Sequence, residues 1–202
     1  REWKQRKEAD LTQYGSGNEQ SPIDIETASV QPNNNLGNLN LQYLPADATL
    51  NNLGHEIQVA WSQYAGGVEI EGAMYGLKQC HWHHPSEHTI NGQQYPLELH
   101  MVHQTDDEKI AVIGILYTLG TPADHFLTTL QDAIDKIASQ PEVELGSTNA
   151  NEIGIGINEA YYRYNGSLTT PPYNEGVTWT VIQQVRTVTQ EQVDNLRKAI
   201  NW

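Results

Sequence analysis

The chain has 202 residues, 38% of them hydrophobic, at a mean hydropathy of −0.58. At that length it reads as one domain, 1–202, able to bury a sizeable core. A formal charge of −14 argues against nucleic acid, which selects a basic surface, and no run approaches the roughly 18 apolar residues of a membrane span.

Taken in order, Glu2–Asp10 is short, highly charged and expected to be helical. The turn-rich stretch from Thr12 leads into Ile23 and Ile25, and the Asn/Gly-rich Gln31–Asn40 reads as a surface loop. From Leu41 to Trp61, short β-like pieces alternate with turns. Val68–Ile70 and Tyr75–His83 flank a turn at Glu71-Gly72. Ile110–Thr118 is almost uniformly apolar, as a strand covered on both faces would be. Helical signals are few. Asp124–Ala138 places Phe126, Leu130, Ile134 and Ile137 on one face, and Thr189 to Gln192 is a capping-box pattern opening a helix with Val193, Leu196 and Ile200 inward. After the Ile153–Ile157 alternation comes a region rich in Tyr, Gly and Pro, then a strand at Val177–Val181. The pattern predicts a mainly β protein with peripheral helices (α+β).

Six of the eight histidines fall between Cys80 and His103. His81 and His83 sit at i and i+2 of a strand-like run, Leu77–His83, and therefore share a face. His100 lies in a second strand-like run, Tyr95–His103, with Glu98 and Val102 on its face. Two imidazoles from one strand and one from another can converge on a single ion, and three neutral imidazoles with a fourth position open describe a catalytic zinc site. His84 breaks the alternation and reads as solvent-facing or packing. His88 and His103 stay open between supporting the ligands and filling the core. Cys80 is the only cysteine, so no disulfide forms within the chain and thiol usage does not report the compartment.

Seven motifs in register carry a wider resemblance: NEQSPIDI at Asn18, GHEIQV at Gly54, QCHWHHPSEHT at Gln79, ELHMVH at Glu98, AVIGILY at Ala111, YYRYNGSLTTPP at Tyr161 and EGVTW at Glu175. In that order they resemble the α-class carbonic anhydrases, in the form with a short central loop found in bacterial and plant members. The resemblance implies a central, mostly antiparallel twisted β-sheet and a zinc ion held by His81, His83 and His100. It puts Gln79 and Glu98 at the positions that hydrogen-bond the first and third ligands. Thr169 falls at the gatekeeper threonine and Glu87 at the carboxylate behind it. His55 falls at the proton-shuttle histidine, a residue type that titrates near neutrality. Val102, Val112, Leu168 and Trp179 match the apolar wall for carbon dioxide, and Thr170 the floor that contacts bicarbonate. The implied reaction is reversible hydration of carbon dioxide to bicarbonate and a proton, by hydroxide generated on zinc.

Some positions depart from the family pattern. The cysteines of its frequent disulfide are replaced by Tyr14 and Tyr173, and Leu53 stands where an asparagine is usual before Gly-His. Both ends are shorter than the family's. The chain begins at Arg1 without an apolar leader, which fits either a removed targeting segment or a sequence cut from a longer one; a secreted, periplasmic or organelle-lumen setting is expected. Two other functions compete: a non-enzymatic relative serving as a storage or biomineral-matrix protein, and a zinc hydrolase acting on esters.

Overall fold

The computed structural model describes residues 17–200 and 202; the expected helix Glu2–Asp10 and Tyr14 lie outside them. Among the described residues, fourteen strands and two α-helices follow one another. The first strands are β1 (Asp24–Ile25), β2 (Asn40–Tyr43), β3 (Ala46–Asn52), β4 (Ile57–Trp61), β5 (Gly66–Ile70) and β6 (Ala73–His83). After the short β7 (Thr89–Ile90) and β8 (Gln93–Gln94) come β9 (Leu97–Gln104) and β10 (Ile110–Leu119). Helix α1 (His125–Ile137) precedes β11 (Glu142–Thr148), β12 (Tyr161–Ser167), β13 (Glu175–Ile182), β14 (Arg186–Val188) and α2 (Gln190–Ile200).

Eleven strands form one mixed sheet in the order β11-β3-β4-β6-β9-β10-β13-β12, with β5 on β6, β2 on β5 and β14 on β10. Most neighbours are antiparallel, as the resemblance implies; β10 runs parallel to β13 and β14. The Glu71-Gly72 turn joins β5 to β6 with both residues in the left-handed region, φ 51 and 79, the two-residue geometry whose twist matches antiparallel strands. Residues 111–117 of β10 are all buried, so the apolar run is a central strand with both faces covered.

One face of the sheet packs on the helices. Leu50, Ile57, Val59, Cys80, Trp82, Leu97, Leu99, Met101, Ile113 and Ile115 form a continuous core with both helices, and Trp82 stacks on Phe126 of α1 at 6.1 Å between ring centres. Asp124 caps α1 by accepting from the Leu127 amide at 2.9 Å. The capping box of α2 forms reciprocally: the Gln192 amide donates to Thr189 Oγ1 and the Thr189 amide donates to Gln192 Oε1, both at 3.2 Å. Gln192 also bonds the Asp124 main chain at 2.9 Å through its carbonyl and its amide, tying the starts of both helices together.

The Ile153–Ile157 alternation forms no strand. Residues 150–153 are a single 3-10 turn, Gly154 is left-handed with φ 83, and Ile157 is 72% exposed. Alternation spaced by glycines offers too little side chain to pair or pack. Conversely, β12 arises in the region rich in Tyr, Gly and Pro, and β11 in a polar stretch that gave no strand signal, because each finds a strand edge to bond to.

Candidate metal centre and its cavity

On β6 and β9, which pair antiparallel, Gln79, His81 and His83 lie beside Val102, His100 and Glu98 respectively. The register shifts between Leu77 and Gln79, a β-bulge that leaves Lys78 exposed. This extra residue lets Leu77, Cys80 and Trp82 all face the helix-side core while Gln79, His81 and His83 face the other way.

The three imidazoles offer nitrogen atoms that lie within 4.8 Å of one another, and His81 Nε2 is 3.1 Å from His83 Nε2. Ligands on a tetrahedral zinc at 2.0–2.1 Å stand about 3.3 Å apart, so the donor set fits that ion. Two of the rings are oriented from behind. His81 Nδ1 is 2.8 Å from Gln79 Oε1, which leaves Nε2 free. His100 Nε2 is 2.5 Å from Glu98 Oε2, which leaves Nδ1 free. Such partners fix the tautomer and raise the ligand's basicity.

Glu98 is fully buried, and its carboxylate accepts from every side. Oε1 takes the amides of Glu87 and His88 at 2.9 and 2.8 Å, and Oε2 is 2.7 Å from His88 Nδ1. Burial alone would raise its pKa, but His88, His100 and these bonds hold it well below the usual carboxylate range. Burial and the neighbouring rings hold His81 well below the usual histidine range and bring His83 to about 3, so both present neutral lone pairs. Burial also opposes charge on His100, but Glu98, Glu87 and Glu56 outweigh it and its pKa is raised. A ring backed by that much negative charge is a strong donor to a cation.

His88 thus sits behind Glu98 with its Nε2 2.6 Å from Tyr164 Oη, which is in turn 2.8 Å from Ser21 Oγ. His103 belongs to the opposite face: Tyr43 Oη is 2.7 Å from its Nε2 and its Nδ1 is 3.1 Å from the Ala111 carbonyl. His84 packs, with its ring stacked on Trp202 and its Nδ1 2.6 Å from the Pro96 carbonyl. Gly114 lies opposite His100 on β10. A Cβ there would come within 3.2 Å of Glu98 Oε2 and 3.8 Å of both the His100 and Trp179 rings, so the close approach calls for glycine.

Glu87 Oε1 lies 3.2 Å from His83 Nε2 and 3.8 Å from His100 Nδ1. It is buried without a hydrogen-bond partner, an orphaned oxygen facing the point where the three free nitrogens converge. Burial raises the Glu87 pKa; a hydrogen bond from Thr169 and the charge on His100 offset part of that rise. Thr169 and Thr170 stand on the loop between β12 and β13, which several bonds hold in place. The Leu168 amide donates to the Asn174 carbonyl at 2.9 Å, and the Trp179 indole to the Ser167 carbonyl at 2.9 Å. Gln20 donates to the Tyr173 carbonyl at 3.1 Å and Glu175 Oε1 at 3.2 Å. Tyr173 itself, at one of the family's cysteine positions, is left-handed with φ 59.

A cavity of about 270 Å³ opens over the imidazoles. His55, Gln79, His81, His100, Val102, Val112, Leu168, Thr169, Thr170 and Trp179 all border it, so residues separated by more than a hundred positions meet at one mouth. His83, Glu87 and Glu98 reach the same centre through the contacts given above. Glu56 and Gln58 also line the cavity. Sequence reasoning missed Glu56, although it stands in the same GHEIQV motif as His55, and it missed the Tyr164–Ser21 pair behind His88. An acidic residue just before an alternating strand was the available signal.

Three imidazoles on adjacent strands of a large mixed sheet, open to a cavity with an apolar wall, form a donor set that could hold a metal ion with one position left open, an arrangement for which carbonic anhydrase is the standard example. Comparison with known proteins carries this further. The model of the eukaryotic-type carbonic anhydrase family matches residues 1–202. Alpha carbonic anhydrase 7 of Arabidopsis thaliana is 47% identical over 189 residues, 93% of this chain and 68% of that protein. Among solved structures, dioscorin complexed with ascorbate superposes with a TM-score of 0.89 at 40% identity, covering 95% of this chain and 80% of that one. The Photobacterium profundum α-carbonic anhydrase gives 0.80 at 35% identity, covering 97% and 88%. The chain belongs to the α-class carbonic anhydrase family.

Proposed function

We propose that this protein hydrates carbon dioxide reversibly to bicarbonate and a proton, with zinc held by His81 Nε2, His83 Nε2 and His100 Nδ1. The observation that carries the reading is the convergence of three free imidazole nitrogens on a cavity bordered by both Thr169 and an apolar wall. Bound there, zinc supplies a Lewis acid that makes hydroxide available near neutral pH, as is established for this enzyme class. Gln79 and Glu98 hold the rings in the ligating tautomer. Thr169 commits its proton to Glu87, so on the cavity side its hydroxyl only accepts, which aims the attacking oxygen at carbon. Val102, Val112, Leu168 and Trp179 receive the apolar substrate, and Thr170 offers a polar contact to bicarbonate as it forms. His55, at the mouth, carries the released proton to solvent.

A second reading rests on the similarity to dioscorin: a carbonic-anhydrase-like protein that has the fold and serves as a non-enzymatic storage or matrix protein. The complete imidazole set favours the enzyme. Stopped-flow hydration before chelation, after it and after zinc is restored separates the two. The enzyme reading expects activity that disappears and returns with the metal; a zinc-loaded chain no faster than buffer overturns it in favour of the second.

A further inference from the structure

We propose that Glu56 is a positioning residue for proton release: its buried carboxylate tethers the exposed His55 imidazole over the mouth of the cavity. The inference rests on the hydration reading and adds a residue to it. Glu56 stands immediately before β4 and turns inward, with its side chain 9% exposed, whereas that of His55 next to it is 70% exposed. Its Oε1 lies 3.2 Å from His55 Nε2, and its Oε2 lies 3.5 Å from His81 Nδ1, the nitrogen already bonded to Gln79. No lysine or arginine pairs with it among the described residues. A carboxylate withdrawn from water without a cation is costly unless hydrogen-bonded, and a leucine would fill the same space at less cost. What the carboxylate adds is an acceptor aimed at one ring.

The main chain of His55 is held separately. The Leu53 amide donates to the Glu56 carbonyl at 3.0 Å, and the Gly54 amide to Asn52 Oδ1 at 2.9 Å. Gly54 turns the chain with φ 89, and the Trp202 indole reaches the His55 carbonyl at 3.5 Å. With the backbone fixed, only the side-chain torsions of His55 remain free. An exposed imidazole divides its time among staggered rotamers, most of them directed to bulk water. The 3.2 Å contact with Glu56 Oε1 favours the rotamer lying along the cavity wall, and it becomes an ion pair once the ring takes a proton.

The test reads kcat and kcat/KM for carbon dioxide hydration in weak buffer, with and without added imidazole, on zinc-loaded wild type, H55A, E56L, E56A, E56Q and H55A/E56L. H55A is expected to lower kcat, leave kcat/KM unchanged and recover with imidazole. E56L and E56A follow the same pattern with kcat down about 3- to 10-fold, the value of one hydrogen bond. E56Q, which still offers an oxygen to the His55 N–H, stays within about twofold of wild type, and the double variant is no slower than H55A, as for two residues acting through one step. A fall in kcat/KM, a wild-type kcat in both E56L and E56A, or a double variant slower than H55A overturns the tether. Wild-type kcat in H55A removes the proton-carrying role, and the tether with it, while leaving hydration intact. An inactive wild type overturns hydration itself. Relaxation of the His55 ring carbons, which needs no turnover, is expected to show a more mobile ring in E56L than in wild type; equal mobility also overturns the tether.

Discussion

Strands β6 and β9 carry two different proteins on their two faces. Toward the helices they present Leu77, Cys80, Trp82, Leu97, Leu99 and Met101, all nearly inaccessible and packed with the cores of α1 and α2. Toward the cavity the same strands present Gln79, His81, His83, Glu98, His100 and Val102. One face gains stability by removing apolar surface from water; the other spends stability to bury carboxylates and imidazoles, with His81 held by Gln79 and His100 by Glu98. Because side chains alternate with a period of two, a slip of one residue would exchange these roles wholesale. Between β6 and β9 the register shifts at Lys78, and the alternation is regular on either side of it.

Variants on each face can break or sharpen this contrast. On the cavity side, H83A should reduce zinc from about one per chain to near zero, weakening affinity by more than the ~10–100-fold that loss of an outer hydrogen-bond partner costs. His83 keeps 19% of its side chain exposed at the cavity, so the metal-free variant should unfold in urea within about 1 kcal/mol of the metal-free parent. A larger loss would show that the face matters to folding as well. On the helix side, L99A should cost about 2–5 kcal/mol in the same titration, with zinc content by metal analysis unchanged. Loss of stoichiometric zinc in L99A would mean that the faces are coupled.

His103 is the polar residue on the apolar face, and it sharpens the contrast through pH. Burial lowers its pKa from 6.5 to about 4, against its bonds to the Ala111 and Met101 main chain. The unfolded chain takes up a proton between those values while the folded chain does not, so this contribution is present in full above pH 6.5 and is lost as pH falls toward 4. The loss is on the order of 3 kcal/mol. Urea unfolding of the metal-free chain at pH 7 and pH 4.5 should show a steeper decline in wild type than in H103Q; equal slopes would remove His103 from the acid response. The smallest effect is expected of Q79A, about tenfold in zinc affinity by competition with a chelator, since it loosens one ring and removes no ligand.

Much of the centre was legible because its signals are local. His81 and His83 share a face by spacing alone, and His100 lies in the next alternating run. Both helices declared themselves by apolar spacing, and the second also by a capping box that bonds as its pattern implies. Other residues were assigned by likeness of motif. The contact of Glu87 with Thr169 joins residues from distant parts of the chain, and no periodicity connects them. Glu56 was passed over because an acidic residue beside an exposed histidine looks like ordinary surface until burial is known. Strands β11 and β12 were hidden by their polar, glycine-containing composition; they form because neighbouring strands supply an edge to pair with.

By itself the sequence determined the alternation of β6 and β9, the gathering of imidazole donors on one face, the helix boundaries and, through seven motifs in order, the family. Those properties depend on neighbours a few residues apart. Tertiary structure alone decided that the β12–β13 loop brings Thr169 over the imidazoles, that His88 buttresses Glu98 whereas His103 fills the core, and that Glu56 turns inward beside His55. Each depends on which distant strand lies alongside, set by burial and hydrogen bonding across the whole sheet.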